Sequence, residues 1–176
     1  MNTRIIEKLD VKPPNVVKPI HFEGLRVVGA PKQLAEKYYF QGVDEIFYID
    51  IVASLYGRHI LFDEVRHAAR DVFVPLAVGG GISSIDDCAK LFDAGADKIV
   101  INTYAVSHTP DIIDKCAKKF GSQAVVINIE AKKFGKHWEC FTDCGRIPSG
   151  RGVLEWASEV ESRGAGEVLL QSVDTD

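Results

Sequence analysis

The feature of this sequence that most constrains its fold is a short unit that occurs three times. Each copy starts with a glycine, continues with a charged residue within three positions, and ends in an apolar, β-branched run; the copies begin at Gly42, Gly95 and Gly164. A glycine here marks the end of a helix, and a continuous apolar run is typical of a parallel strand that is buried on both faces. The unit therefore predicts helices alternating with parallel strands.

Three further predicted strands extend the series to six: Arg4–Asp10, Val74–Val78 and Ala124–Glu130. Amphipathic stretches with a helical period separate the strands, at Pro31–Gln41, His59–Arg70, Ser84–Asp93, Thr109–Phe120 and Gly152–Arg163. Ser84 precedes two aspartates and predicts an N-cap. Thr109-Pro110 predicts a second N-cap at Thr109, with proline at the first helical position.

The two halves of the chain resemble each other, which favours a barrel. Leu-Asp-Val-Lys at 9–12 matches Ile-Glu-Ala-Lys at 129–132, each at the end of a strand. Two similar halves of alternating strands and helices predict an α/β fold of the (β/α)8 TIM barrel type. An open, doubly wound parallel sheet is the alternative.

The length of the chain fits only part of such a barrel. A (β/α)8 barrel takes about 250 residues, and this sequence has 176. We therefore expect a single domain over residues 1–176 that contains the first six strand–helix units of an incomplete barrel, without strands 7 and 8. A self-standing six-stranded unit is the alternative.

Charge and hydropathy exclude several classes of partner. The net charge is −4, whereas proteins that bind phosphate backbones concentrate lysine and arginine. No apolar run approaches the roughly 20 residues that cross a bilayer, and the N-terminus has no signal-peptide core. We expect a soluble, cytoplasmic protein that binds neither nucleic acid nor membrane.

Carboxylates stand where the predicted strands end. The active site of a parallel barrel lies at the carboxyl ends of its strands, and the acids there are Asp10, Asp50, Glu130, Asp174 and Asp176. Crowded carboxylates repel one another, so some pKa values rise, which suits a general acid paired with a general base. Asp10 and Glu130, matched across the halves, are the favoured pair; the other three could instead cap the helices that follow.

A triple glycine follows the third strand. Gly79–Gly81 allow a close backbone approach, and the helix that starts near Ser83 offers N–H donors to a phosphate. A tight turn between strand and helix is the simpler explanation of the glycines alone. With Asn102 and Thr103 at the end of the next strand, a phosphate-binding cradle becomes the better hypothesis.

For two other groups of side chains, the residues alone leave two explanations open. Charged residues stand at the starts of four segments, where they either close a ring of ion pairs across the barrel floor or are unrelated surface charges: Arg4, Glu45, Lys98 and Glu167. His137, Cys140 and Cys144 have a spacing that suggests a metal, but a fourth ligand is missing. They lie in the segment Lys133–Ser149, which is predicted to be a hairpin-like insertion.

Several motifs together resemble those of one family over essentially the whole chain. They include Leu-Asp-Val-Lys at 9–12, Phe-Glu-Gly-Leu-Arg at 22–26, Val-Gly-Gly-Gly-Ile at 78–82, Gly-Ala-Asp-Lys at 95–98, Ile-Asn-Thr at 101–103, Phe-Gly-Ser-Gln-Ala-Val-Val at 120–126 and Arg-Gly-Ala-Gly-Glu at 163–167. The sequence resembles the HisF family, the cyclase subunits of imidazole glycerol phosphate synthase.

The resemblance implies an activity and a partner. Cyclases of this family are lyases of histidine biosynthesis. They use ammonia from a HisH-type glutaminase, docked at the barrel floor as the other half of a heterodimer. The ammonia converts a phosphoribulosyl-formimino aminoimidazole carboxamide ribonucleotide into imidazole glycerol phosphate. The expected ligand is thus a phosphorylated small molecule, and no metal or organic cofactor is indicated.

The resemblance also implies roles for particular residues. Asp10, Glu130 and Asp176 match catalytic positions. The candidates for phosphate or substrate binding are Lys18, Asp50, Gly80, Gly81, Asn102, Thr103, Ser172 and Asp174. Arg4, Glu45, Lys98 and Glu167 match the ring that gates the ammonia entrance.

Two departures keep other functions open. Glu130 stands where typical cyclases have aspartate, and its extra methylene could displace the reacting oxygen by about 1 Å, enough to impair positioning. Pro13-Pro14-Asn15 replaces the usual first turn. Both changes resemble a divergent HisF-like branch that is associated with bacterial surface polysaccharides, including lipopolysaccharide, where the barrel would pass ammonia to a sugar amidotransferase. A related two-carboxylate isomerase is a third alternative, disfavoured by residues 22–26 and the floor charges.

Overall fold

The computed structural model describes residues 3–20, 23–56 and 62–174, and its elements alternate largely as the sequence predicts. In chain order they are β1 (Ile6–Lys12), β2 (Asn15–Ile20), β3 (Glu23–Gly29), α1 (Pro31–Phe40), β4 (Glu45–Asp50), α2 (Ala53–Tyr56), α3 (Phe62–Asp71), β5 (Leu76–Gly79), α4 (Ile85–Ala94), β6 (Lys98–Ile101), α5 (Thr103–Ser107), α6 (Asp111–Phe120), β7 (Val125–Phe134), β8 (His137–Thr142), β9 (Ile147–Gly152), α7 (Val153–Ser162) and β10 (Glu167–Ser172).

Six of these strands form the parallel sheet that the sequence predicts. Their order across the sheet is β1-β4-β5-β6-β7-β10, which is also their order along the chain. A doubly wound sheet reverses its strand order at a switch point, so this monotonic order excludes that alternative. The fold is α/β with the arrangement of a (β/α)8 barrel. No hydrogen-bonded ladder joins β1 to β10 within residues 3–20, 23–56 and 62–174.

Two antiparallel hairpins extend the sheet beyond the parallel strands. β8 and β9 follow β7 as the hairpin-like insertion that the sequence predicts. β2 and β3 pair beside β1, in a segment where the sequence analysis predicts no strands. Val16 and Val17 are both about 5% exposed, and burying these two β-branched residues explains why the segment forms strands.

Side chains on the two faces of the parallel sheet pack into separate cores. The outward face packs against the helices through residues such as Leu9, Ile46 and Ile127. The concave face holds a smaller apolar cluster that includes Phe47, Val100 and Val126. Because strand residues alternate between faces, the residues that follow this smaller cluster along each strand reach the cavity at the carboxyl ends.

The helix ends agree with the sequence signals, apart from one boundary. Ser84 is the N-cap of α4, and its side chain accepts a hydrogen bond from the Asp87 N–H at 3.1 Å. Gly95 ends α4 in the left-handed conformation at φ +110°. The start of α6 lies one residue later than predicted, with Pro110 in the N-cap position, but Oγ1 of Thr109 accepts the Asp111 N–H at 3.3 Å and so still makes the capping hydrogen bond.

The other helix bounds lie within a few residues of those predicted. α3 begins at Phe62, and the predicted start at His59 lies outside the described residues. None of the helices in the described ranges combines the length and the apolar character that crossing a membrane requires.

Candidate active site

The carboxyl ends of the parallel strands surround a cavity of about 590 Å³. Its lining includes seven of the residues that the sequence nominated: Asp10, Asp50, Gly80, Gly81, Asn102, Thr103 and Glu130. β1 brings Asp10 to the cavity and β7 brings Glu130, from opposite parts of the chain. The spatial expectation that the two acids share one mouth is therefore confirmed.

Asp10 is ion-paired with a lysine on its own strand. Lys8 and Asp10 are two residues apart on β1 and so project to the same face. The Lys8 ammonium contacts Oδ1 of Asp10, and the two side chains are only 21% and 16% exposed. One of the two candidate catalytic carboxylates thus carries its own counter-ion.

Glu130 is more deeply buried than Asp10, and among the described residues no cation forms an ion pair with its carboxylate. It is 6% exposed, and its Oε2 accepts a hydrogen bond from the Gly145 N–H at 2.8 Å. Burial raises its pKa to about 7, against the lowering effects of the Gly145 hydrogen bond, the Lys8 charge and the Asn102 side chain. A carboxyl group with a pKa near neutrality exists in both forms at pH 7, which suits proton transfer.

The turn between β8 and β9 lies against this carboxyl group and the neighbouring strand ends. The Asp143 N–H donates to Oγ1 of Thr103 at 3.2 Å, and the Cys144 thiol donates to the Ile51 carbonyl. Burial raises the pKa of Cys144 to about 12, so the thiol keeps its proton at neutral pH and remains a donor. These anchors hold the Gly145 N–H in place over Glu130.

The glycines after β5 form the close-approach turn that the sequence predicts. Gly80 has φ +100°, and a Cβ there would lie 2.2 Å from the Asp50 carbonyl oxygen, so only glycine fits. The start of α4 is already occupied, since Oδ2 of Asp87 accepts the Ser83 N–H at 3.1 Å. We therefore expect a phosphate here to depend on the glycine backbone and Thr103 more than on the helix end.

Four charges close the predicted ring at the opposite end of the strands. Arg4 donates to Glu45 at 2.9 Å and to Glu167 at 2.8 Å. Lys98 lies 2.7 Å from a carboxylate oxygen of each of the same two glutamates. Each cation bridges both anions, and Glu45 is fully buried. The ring of ion pairs is confirmed, while its role as a gate is a prediction.

The remaining nominated residues differ in position: some lie apart from the cavity lining, one lines the cavity but also caps its own turn, and one lies outside the described residues. Lys18 is exposed on β2, where it pairs with Arg26 across the hairpin. Ser172 ends β10, and Asp174 accepts the Lys133 N–H at 2.9 Å. Asp50 lines the cavity but also accepts the Val52 N–H at 2.9 Å. Asp176 lies outside the described residues.

The three residues with metal-like spacing are placed in different surroundings. Cys140 is buried in the core that packs against the helices. Cys144 lines the cavity, and His137 is exposed and stacks on Phe134. Their spacing reflects the strands and turn of the hairpin.

Sequence reasoning missed several polar residues that line the cavity, among them Lys8, Asn128 and Gln171. Asn128 is 5% exposed, and its Oδ1 has no hydrogen-bond partner within the described part of the chain. Gln171 is opposite Glu130 in the β7–β10 ladder. The alternation of strand residues could have found Lys8 and Asn128, since each precedes a nominated acid by two positions.

Comparison with known proteins gives a consistent result. The family model described as "Histidine biosynthesis protein" matches residues 4–176. Three similar proteins, each called "Imidazole glycerol phosphate synthase subunit HisF", come from Legionella pneumophila, Campylobacter concisus and Myxococcus xanthus. They are 51%, 48% and 46% identical to this chain over 99%, 98% and 100% of its length, and the matches cover 82%, 68% and 69% of their own lengths.

Proposed function

Because this chain belongs to the histidine biosynthesis protein family, among its HisF subunits, we propose that it is the cyclase of an imidazole glycerol phosphate synthase. Its reaction uses ammonia to convert the phosphoribulosyl-formimino ribonucleotide into imidazole glycerol phosphate and an aminoimidazole carboxamide ribonucleotide. The chain is thus an enzyme subunit of the lyase class. We further propose that it acts in the cytoplasm.

The observation that carries the proposal is the shared cavity of Asp10 and Glu130. Two carboxyl groups with different surroundings, one ion-paired and one buried, can divide the roles of base and acid. Gly80, Gly81 and Thr103 lie on the same cavity and suit the phosphate of the substrate. The cavity volume also falls within the range of small-molecule sites.

The ion-pair ring supports a glutaminase of the HisH type as the partner. Its four charges lie at the amino ends of the strands, opposite the cavity, where ammonia from a docked subunit would enter. A closed ring blocks free passage, so docking would have to open one of its pairs. Lys98→Met should then alter turnover with glutamine and glutaminase more than turnover with added ammonium.

The central experiment measures cyclase turnover of the purified protein with ammonium and the ribonucleotide, followed by the loss of substrate absorbance. Asp10→Asn and Glu130→Gln should each lower kcat by roughly 10²-fold or more, because each removes a proton-transfer group. Asp63→Asn, at an exposed position on α3, serves as the control and should leave kcat unchanged. Absence of turnover in the protein extended by the two strand–helix units that the sequence analysis expects to be missing would contradict the proposal.

A second candidate is an ammonia-channelling subunit for amidation of a sugar in surface polysaccharide biosynthesis. The observation that favours it is Glu130 at a position where typical cyclases have aspartate, combined with an intact floor ring. This candidate predicts tight glutaminase binding and stimulation of glutamine hydrolysis, together with no cyclase turnover. The cyclase proposal predicts turnover in the same assay, so one set of measurements separates the two.

A further inference from the structure

Lys8 is a partly buried cation that lines the candidate site, and the proposed reaction assigns it no role. It lies on β1, its side chain is 21% exposed, and it lines the same cavity as both acids. Its ammonium contacts Oδ1 of Asp10. A lysine that is mostly withdrawn from water is costly unless it is paired, so Asp10 accounts for its presence there.

Lys8 also acts on Glu130, among several groups that face this carboxyl. From β1, Lys8 attracts the glutamate charge, and Asp10 lies on the same cavity; from the β8–β9 turn, Asp143 repels that charge. The Cys144 thiol and the neutral Asn102 side chain complete the surroundings. Lys8 is thus the cation in this set, and it interacts with both acids.

We propose that Lys8 is a positioning residue that gives the two acids different roles: its ion pair keeps Asp10 as the carboxylate that accepts a proton and leaves Glu130 as the acid that donates one. In each turnover Asp10 takes one proton and Glu130 gives one, and the starting state is restored when Asp10 releases its proton to water and Glu130 takes one up. This assignment of roles rests on the proposed cyclase function, whereas the contact of Lys8 with Asp10 and its attraction for Glu130 do not.

The physical reason for this division is that one ammonium group cannot pair equally with two carboxylates at different distances. The contact with Asp10 is direct, and the influence on Glu130 is a longer-range attraction that is outweighed by burial. Without Lys8, both acids would face each other in the cavity with no counter-ion from β1. Removing Lys8 would therefore take the direct partner from Asp10 and the attraction from Glu130.

The first arm of the test needs no substrate. In protein with ¹³C-labelled glutamate side chains, the carboxyl resonance of Glu130 is assigned by its loss in Glu130→Gln and followed against pH. In Lys8→Met the midpoint should move to higher pH by roughly one unit or more, because an attractive charge is lost. Lys8→Arg should restore the original midpoint. Lys115→Met, an exposed lysine on α6, is the matched control. An unmoved midpoint in Lys8→Met would overturn the proposal.

The second arm measures ammonium-dependent turnover against pH. Lys8→Met should lower kcat roughly tenfold or more and move both limbs of the pH profile upward, with KM for the ribonucleotide little changed; Lys8→Arg should recover both. A uniform loss with unmoved limbs would indicate a purely structural role and overturn the proposal. If Lys8→Met does not fold, Lys8→Gln replaces it in both arms. If the extended protein without substitutions shows no turnover, the cyclase function fails, and the resonance midpoint still decides the charge arrangement.

Discussion

At Glu130, the proposed chemistry requires an ionisation that folding disfavours. The side chain is 6% exposed, and its pKa is raised to about 7 by burial. An ordinary glutamate ionises near pH 4.5, so folding favours the protonated form. The stability that this preference contributes is fully present below pH 4.5 and is lost as the pH rises through 7.

The pH dependence of Glu130→Gln tests this balance. Glutamine keeps an oxygen that can accept the Gly145 N–H but carries no charge, so the variant should gain stability relative to the unmodified protein as the pH rises. The gain between pH 5 and pH 8 should be about 2–3 kcal/mol, measured by urea unfolding at both values. Glu161→Gln at an exposed position of α7 should give the same difference at both pH values. An equal effect of Glu130→Gln at pH 5 and 8 would mean that the buried carboxyl is not perturbed.

Gly80→Ala tests the close approach of backbone at the cradle. The new Cβ would lie 2.2 Å from the Asp50 carbonyl oxygen, in addition to the strain of φ +100°, and we expect a loss of about 3 kcal/mol or more in the free energy of unfolding. Gly135→Ala is the matched control, because Gly135 also has positive φ but open space around it; it should lose only about 1 kcal/mol. Equal losses would show that backbone conformation alone requires the glycine at 80.

At the scale of elements, the β8–β9 hairpin and the parallel strands build the site together. The strands supply Asp10, Asn102 and Glu130 at their ends, and the hairpin turn returns to donate to Thr103 and Glu130. Because the hairpin is continuous with β7, the strand that carries one acid also carries the turn that covers it. Movement of this turn would therefore change both the cradle and the acid.

The start of α4 gives a prediction for an element next to the cradle. The Ser84 side chain accepts the Asp87 N–H at 3.1 Å, and Asp87 in turn accepts the Ser83 N–H. Ser84→Ala removes the cap and should lower the free energy of unfolding by about 1 kcal/mol, whereas Ser84→Thr should keep most of it. Urea unfolding measures both. A Ser84→Ala variant as stable as the parent would show that the Asp87 contacts alone fix the helix start.

At the scale of the whole molecule, the floor ring joins segments that are far apart in the chain. Arg4 precedes β1, Glu45 begins β4, Lys98 begins β6 and Glu167 begins β10. Four ion pairs hold these starts together. The same contacts that would gate ammonia thus also fix the spacing of the strands.

Lys98→Met should therefore destabilise the protein by roughly 3 kcal/mol, because Glu45 remains buried with only Arg4 as its ion-pair partner. Adding Glu45→Gln should recover part of this loss, which a double-mutant cycle of urea unfolding measures. Lys32→Met breaks the exposed pair with Asp71 and should have little effect. Additive losses for the Lys98 and Glu45 substitutions would mean that the two residues do not interact.

Much of the architecture follows from the sequence by local rules. The glycine-led repeat predicts the order of strands and helices, because helix ends and buried parallel strands each leave a pattern that neighbouring residues define. The acids at the strand ends could be nominated for the same reason: in a barrel, the end of every parallel strand lies at one mouth. The family motifs then identified Asp10, Glu130 and the floor charges as a set.

Tertiary structure alone decided how these residues are paired and buried. That Glu130 is only 6% exposed, that the Gly145 N–H donates to it, and that Gln171 lies opposite it all depend on strand register and on a hairpin turn folding back. Lys18 and Asp174 lie away from the cavity lining for the same reason. A local pattern sets which face a residue takes, but an ion pair such as Arg4 with Glu167 joins segments that are far apart in the sequence and that only the folded chain brings together.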